Sequence, residues 1–334
     1  MSNSIKRLFF LALITPFTIF SYEFSAMTLN VDNLFDTLDD IKKDDKAYLP
    51  IQFKQSDAHK KSCNRIRVNS WKNECLFLDW NEDTKNAKLR NIANSIISYG
   101  SNGPDIIALQ EVENNNILNQ LLELLRPYGF VDSVLIEGKD YRGIDTALIT
   151  KFKILDSKLH YIKFSGEFEG KDTRPILDAT LEINGEKIKI YNVHFPSGFH
   201  DVSMRVDSLN VLSKLLNSHD YPTIALGDFN VNTKEDNQLD IYQSQEAFWS
   251  VAHIFGCKDC KGSFYYNYGK TWEFLDTIFL SKDRDILYIK DSIDIYRTKS
   301  NSYSDTGKPK NFNPTKKYGV SDHLPMVAKF RIIN

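Results

Sequence analysis

The sequence lacks any apolar run long enough to cross a bilayer as a helix, which takes about 20 consecutive apolar residues. The stretch Leu8–Phe20 falls short of that length. An excess of either charge is also missing: 42 Lys and Arg stand against 44 Asp and Glu, a net charge of −2. That excludes a global positive field of the kind that gathers nucleic acid non-specifically, and leaves room for a local basic groove. No internal repeat and no low-complexity linker occurs, so nothing marks a domain boundary. Cysteine and histidine are scarce, at four and seven. What is plentiful is core material: 42% of residues are hydrophobic and 13% aromatic, in a chain of 334. This is the composition of a globular protein with a large core, holding one large domain or two ordinary ones.

Lys6 and Arg7 precede Leu8–Phe20, and Ser21 and Ala26 are small enough to precede a cleavage site. A basic start before a short apolar run is the pattern of a secretory signal peptide, expected here over residues 1–21. The competing reading is a buried first strand or an uncleaved anchor. Export would suit the cysteines. Cys63 and Cys75 share one polar segment, and Cys257 and Cys260 form C-K-D-C. In an oxidising compartment these pairs are candidates for local disulfides, one of three connectivities that four cysteines allow. A zinc site would need all four thiols to converge from distant loops. A redox C-x-x-C would need a thioredoxin-like βαβ pattern, which is not there.

Short strand-like runs alternate with a few helical ones. Strands are expected at Ser25–Val31, Asp105–Glu111, Ala147–Thr150, Ile176–Ile183, Lys187–Val193, Thr223–Leu226 and Thr277–Leu280. Helices are expected at Thr84–Tyr99, with Leu89, Ile92, Ile96 and Ile97 on one face, at Ile117–Leu125 and at Met204–Leu216. Thr37–Asp83 and Asp291–Lys317 carry no clear period and read as long loops. The second holds Arg297, Lys299, Lys308, Lys310, Lys316 and Lys317, which suits a phosphate-bearing partner or a solvated surface equally. The sum is an α/β or α+β domain over residues 22–334.

Polar residues recur where the apolar runs end. Asn30 and Asp32 follow M-T-L, Glu111 ends D-I-I-A-L-Q-E, His194 ends I-Y-N-V-H, and Asp228 and Asn230 end T-I-A-L-G-D-F-N. Asp276 lies inside F-L-D-T-I-F-L, and Asp322-His323 sit in V-S-D-H-L-P before another strand. Strand ends are where a rigid sheet can hold several side chains around one pocket. Carboxylates bind a hard divalent cation through oxygen, an Asp can deprotonate water, and His⁺ and Asn can bond developing negative charge. The donor set disfavours zinc, since only His194 and His323 offer nitrogen. Each residue alone has a plain reading as a turn former or helix cap. Asp276 inside an apolar run is the exception, because a buried carboxylate needs a partner, and His323 is a suitable one.

Taken in order, N-V-D-N-L-F, L-Q-E-V, Y-R-G-I-D-T-A-L, N-V-H-F-P-S-G, G-D-F-N, F-L-D-T-I-F and S-D-H resemble the endonuclease/exonuclease/phosphatase superfamily from Met27 to Asn334. The resemblance implies an α+β four-layer sandwich, two mostly antiparallel sheets packed face to face with helices outside. It implies a metal site at Asn30 and Glu111 with Asp322 as a further ligand, Mg²⁺ being expected and Mn²⁺ or Ca²⁺ its substitutes. Asp228 would orient or deprotonate the water, Asn230 would stabilise the phosphate oxyanion, and His323, held by Asp276, would contact the scissile phosphate. His194 matches a second phosphate-contacting histidine. Tyr141 matches a phosphate-contacting tyrosine, although Asp145-Thr146 adds a residue to the usual motif. Arg174, in D-T-R-P-I-L, would orient a carboxylate or phosphate, or else form a structural ion pair.

The expected activity is that of an exported, periplasmic or secreted, metal-dependent endonuclease acting on DNA or RNA. A monomer without stable membrane association after processing is expected. The first alternative keeps the centre and changes the substrate to a small phosphoester, such as an inositol phosphate or a phospholipid head group. A remoter one is a catalytically inactive binding module, whose mark would be loss of Glu111, Asp228 or His323.

Overall fold

The computed structural model describes residues 21–257, 260–282 and 284–333. The expected signal peptide therefore lies outside the described residues, apart from Ser21. Among the described residues no helix is long and apolar enough to cross a membrane.

In the first half of the chain, strand β1 (Tyr22–Leu34) leads into helices α1 (Asp57–Cys63), α2 (Asn69–Phe77) and α3 (Glu82–Ile97). Then come β2 (Ile106–Val112), α4 (Asn115–Leu125), β3 (Asp132–Leu135) and β4 (Asp145–Thr150). The second half begins with β5 (Lys153–His160), β6 (Ile176–Ile183), β7 (Glu186–His194), α5 (Val202–Leu216) and β8 (Thr223–Asp228). It continues with α6 (Thr233–Leu239), β9 (Trp249–Val251), the hairpin β10 (Phe264–Tyr266) and β11 (Thr271–Glu273), and β12 (Asp276–Ser281). Three strands close the chain: β13 (Ile286–Tyr288), β14 (Asp294–Ile295) and β15 (Met326–Ile332).

One sheet runs β13-β15-β1-β2-β4-β3, with β14 also on β15; the other runs β5-β6-β7-β8-β12-β9. Among the described residues, only β1 with β2 and β7 with β8 pair in parallel. The two-residue period of a strand decides how the layers pack. On β1, Phe24 and Ala26 face the other sheet, while Met27, Leu29 and Val31 face the helices. The facing sheet answers with Leu177, Ala179 and Leu181 on β6, Ile188 and Ile190 on β7, and Ile224 and Leu226 on β8. Outside the first sheet lie α3 and α4, whose Leu89, Ile92, Ile117, Leu118 and Leu121 recur at helical spacing. Outside the second lies α5, with Met204, Leu209 and Leu212. Each fully buried Leu or Ile contributes about 1.5–3 kcal/mol, so three apolar interfaces hold the four layers together. The expected four-layer α+β sandwich is what the chain forms.

The segment Thr37–Asp83, expected as a loop, contains α1 and α2. The structure pairs Cys63 with Cys75, twelve residues apart, linking these two helices. The second pair is Cys257 with Cys260. Local pairing is thus the connectivity, and no thiol is free to form a zinc site. Asp291–Lys317 is irregular except for β14 and short bridges such as Ser302 with Pro309 and Asn313 with Tyr318.

Candidate active site

The inward face of each central strand is apolar along its length and polar at one end. On β7 the inward series is Ile188, Ile190, Asn192, His194; on β8 it is Ile224, Leu226, Asp228. On β12 it is Leu280, Ile278, Asp276, and on β1 it is Phe24, Ala26, Thr28, Asn30. The register aligns these ends: His194 pairs with Asp228 and Asp228 with Asp276. Asn30 reaches across from the other sheet and donates its Nδ2–H to Asp228 Oδ2 at 3.1 Å. The ends of both sheets therefore meet at one edge of the sandwich.

Glu111 is delivered there by a break in the ladder. The pairing of β2 with β4 shifts register between Gln110 and Val112, and that of β1 with β2 shifts between Asn30 and Leu34. Such bulges re-aim side chains at functional edges. Their mark is left-handed backbone at Asp32, Asn33 and Glu111, with φ of 53°, 63° and 66°. For Glu, which lacks the local bonding of Asn or Asp, that conformation costs on the order of 1 kcal/mol or more. It is held by Asn33 N–H, which donates to Glu111 Oε2 at 3.0 Å. Gly227, just before Asp228, has no alternative: a Cβ there would lie 2.1 Å from the Val193 carbonyl oxygen.

Asp228 is buried, and its Oδ1 accepts the Asn230 N–H at 2.9 Å. Burial, then repulsion from Asp276, pushes its carboxyl up to about 7, against the pull of His323 and the Asn30 hydrogen bond. A carboxylate near neutrality suits a general base. His323 Nδ1 lies 2.6 Å from Asp276 Oδ2 in a hydrogen bond, and Asp276 is fully buried. Burial opposes charge on His323, yet Asp276, Asp322 and Asp228 outweigh it and hold its pKa well above the ordinary value. Nδ1 therefore carries a proton toward Asp276, and Nε2–H faces the site. His194 is the opposite case. Burial, with Arg174, Arg142 and His323 nearby, drives its pKa well below normal, so it is neutral. Its Nε2 lies 3.8 Å from Glu111 and 3.7 Å from Asp228.

Asp322 completes the cluster. Its side chain is 37% exposed and 3.9 Å from His323 Nε2. Burial of its inner edge and the neighbouring Asp32 and Glu111 raise its pKa. Ser321 ties this end down, donating Oγ–H to the Asn30 carbonyl at 2.6 Å and accepting the His323 N–H at 3.0 Å. The structure thus brings together Asn30, Glu111, His194, Asp228, Asn230, Asp276, Asp322 and His323. Asn230 turns its Nδ2 to the Phe195 carbonyl, 3.1 Å away. Arg174 donates to the same carbonyl at 2.7 Å and faces Asp140 at 3.6 Å, the ion pair of its structural reading. Tyr141 lies on the loop before β4 and is 68% exposed, next to Arg142, whose charge acts on His194.

Two participants have no counterpart among the expected residues. Lys88 of α3 is buried, donates to the Asp32 carbonyl, and sits among Asp32, Glu111 and Asp322. Its signal was available: it lies four residues before Ile92, on the apolar face of the helix. Arg205 of α5 is fully buried and pairs with Glu235 of α6. It donates to the carbonyls of Pro196, Ser197 and His200, fixing the loop after His194.

The site fits a hard divalent cation. Asn30, Glu111 and Asp322 offer oxygen, and five carboxylates (Asp32, Glu111, Asp228, Asp276, Asp322) gather in it. Two of them, Asp228 and Asp322, are pushed up by burial and by their acidic neighbours, a repulsion that a cation would relieve. Asp228, Asp276 and His323 also offer atoms within 4.8 Å of one another.

The sequence profile of the Endonuclease/Exonuclease/phosphatase family matches residues 77–331. No curated protein matches the chain. Among solved structures, an endonuclease/exonuclease/phosphatase family protein from Bacteroides thetaiotaomicron superposes with a TM-score of 0.57 at 16% identity, covering 94% of this chain and 99% of that one. TDP2 of D. rerio complexed with a single-strand DNA product gives 0.55 at 17%, over 92% and 98%. A mannosyl-6-phosphatase of Bacteroides thetaiotaomicron gives 0.54 at 14%, over 92% and 99%. These likenesses establish the shared fold. The profile, spanning most of the chain, establishes more: this protein belongs to the endonuclease/exonuclease/phosphatase family of phosphoester hydrolases.

Proposed function

We propose that the chain is an exported, Mg²⁺-dependent phosphodiesterase that cleaves nucleic acid, with residues 22–334 forming one catalytic domain behind a removed leader. The observation that carries the reading is the meeting at one sheet edge of Asp228, bonded by Asn30, with the hydrogen-bonded pair of Asp276 and His323. Asp228, raised toward neutrality, can accept a proton, while His323, held charged by Asp276, can donate one. Asn30, Glu111 and Asp322 would hold the cation, which supplies charge neutralisation at the phosphate. Asp228 takes the proton of the attacking water through a carboxylate oxygen, and Asn30 Nδ2 fixes the orientation of that carboxylate. His323 Nε2–H bonds the phosphate and protonates the departing oxygen. Neutral His194 and the second amide hydrogen of Asn230 add donors for oxyanion charge.

A rim of paired cations and rings supports a nucleic-acid substrate. Lys308 lies 3.6 Å from the Tyr265 ring centroid and Arg297 5.5 Å from that of Trp272. Both rings belong to the β10–β11 hairpin, whose Phe264 bridges to His323. The two disulfides are compatible with an oxidising compartment. A small phosphoester is the second reading, favoured by the net charge of −2. Complete occupancy of the catalytic positions argues against an inactive binding module.

Digestion of supercoiled plasmid by the mature protein tests the proposal. Nicking in Mg²⁺ that chelator abolishes is expected. A folded protein inert on plasmid in Mg²⁺ and Mn²⁺, yet active on sugar or inositol phosphates, would transfer the reading to the second substrate class. Size-exclusion chromatography checks the expected monomer.

A further inference from the structure

α3 and the segment 299–319 line an open cavity of about 450 Å³. Lys299, Lys310 and Lys317 line it, together with Tyr303, Tyr318 and Asn91, and no lining residue is acidic. The cavity is built rather than incidental. Asn91 Nδ2 donates to the carbonyls of Lys317 and Gly319 at 3.2 and 2.9 Å. Gly319 passes so close to Asn311 that a Cβ would fall 2.0 Å from its carbonyl oxygen. Fully buried Asn301 anchors the other wall, donating to Ser95 Oγ of α3 at 3.2 Å and accepting the Thr298 N–H at 2.7 Å. The loop is irregular in secondary structure and fixed in place.

Its contents suit a strand of phosphates and bases. Three lysines line one cavity: Lys310 Nζ donates to the Lys299 carbonyl at 2.7 Å, and Lys317 Nζ lies 3.7 Å from the exposed Asp83. Tyr303 and Tyr318 are 42% and 41% exposed, so ring surface is open for stacking. Lys310 Nζ lies 5.2 Å from the Tyr303 centroid, as cations and rings do along single-strand channels. The cavity also connects to the chemistry. Asn91 stands one turn beyond Lys88 on α3, ~5 Å along the axis. Phe312, in the same loop, lies with its ring 5.4 Å from Lys88 Nζ, and Asp322 follows Gly319 by three residues.

We infer that this cavity is a subsite for single-stranded nucleic acid, binding a phosphate through Lys299, Lys310 and Lys317 and a base against Tyr303 or Tyr318, next to the scissile phosphodiester. This rests on the nucleic-acid reading above. Rings beside ammonium groups distinguish it from a free-phosphate site, which would need only the cations.

The test compares Lys299→Ala/Lys317→Ala and Tyr303→Ala/Tyr318→Ala with wild type on a labelled single-stranded oligonucleotide and on the reporter bis(4-nitrophenyl) phosphate. With the oligonucleotide, KM should rise about tenfold in either variant while kcat holds. The salt dependence of log kcat/KM should flatten by about 0.7 in the lysine variant, the share of one single-strand phosphate. Reporter turnover should not change. Unchanged KM and salt slope, or equal loss on the reporter, would overturn the subsite alone. A wild type that hydrolyses the reporter but not the oligonucleotide would overturn the nucleic-acid reading and the subsite with it.

Discussion

In the proposed mechanism Asp228 is the proton acceptor, a carboxyl that burial and the like charge of Asp276 push toward neutrality. Asp228→Asn keeps the shape and a side-chain oxygen for the Asn230 N–H but cannot take a proton. It should lower kcat by roughly 10²–10⁴ while circular dichroism and thermal unfolding stay as in wild type. Retained turnover would remove it from the base role. His323 allows a test through pH. Asp276 is the largest influence keeping the imidazole charged, so Asp276→Asn lowers the His323 pKa. If the imidazolium is the working form, the alkaline limb of kcat/KM then moves to lower pH; an unmoved limb would show that His323 does not act as the acid. Asp228 and His194 are legible because each ends an inward-facing series that begins apolar: I-x-L-x-D in T-I-A-L-G-D, and I-x-I-x-N-x-H in I-K-I-Y-N-V-H. Lys88 lies outside that rule, although its place on the apolar face of α3 gives the same kind of hint. Arg205 is hidden more thoroughly, since its task is to bond carbonyls, and sequence carries no trace of which carbonyls lack donors.

At the scale of elements, the strands and amphipathic helices follow their periods closely; α3 and α4 begin two residues before their expected starts, at side-chain caps from Asn81 and Asn114. Of the elements beyond those expected, which include β3, β5 and α6, the plainest are α1 and α2. Their sequences, D-A-H-K-K-S-C and N-S-W-K-N-E-C-L-F, bury little beyond Cys63 and Cys75, so no apolar stripe announces them. Other forces hold them. Lys54, buried, donates to the carbonyls of Ala47, Leu78 and Glu74 at 2.6, 2.6 and 3.3 Å. Trp80 donates to the Phe35 carbonyl at 3.1 Å, and the disulfide closes the pair. Because a bridge across twelve residues removes about 3 kcal/mol of unfolded-chain entropy, Cys63→Ser/Cys75→Ser should lower the melting temperature. Hydrogen exchange should quicken first in residues 46–78, with turnover of the small reporter kept. Uniform quickening across the whole sandwich would instead make the bridge a global brace.

At the scale of the molecule, the active site exists only where two sheets agree. Asn30, Glu111 and Asp322 come from the first sheet or its edge, while His194, Asp228, Asn230 and Asp276 come from the second. The hydrogen bond from Ser321 to Asn30 closes a loop of 291 residues, which no local pattern reveals. Sequence can mark the strand ends but not their pairing. A polar bridge beneath the site sets it. Gln110 on β2 donates to Asn192 Oδ1 on β7 at 2.8 Å, and Asn192 Nδ2 donates to the carbonyls of Leu109 and Ala147 at 2.9 and 2.8 Å. All of these groups lie in the apolar interface, where an unpaired polar group costs about 1–3 kcal/mol. Asn192→Leu keeps the branching at Cγ while removing the donor and acceptor, which takes a partner from two carbonyls and from the Gln110 amide. It should therefore destabilise the protein by roughly 2–4 kcal/mol. Because Asn192 sits two residues before His194 and opposite the residue preceding Glu111, the damage should reach the chemistry as well. The divalent-metal concentration for half-maximal turnover should rise, which a purely local cavity would not cause. Lower stability with an unchanged metal titration would mean that the bridge holds the sheets together without setting how their ends meet.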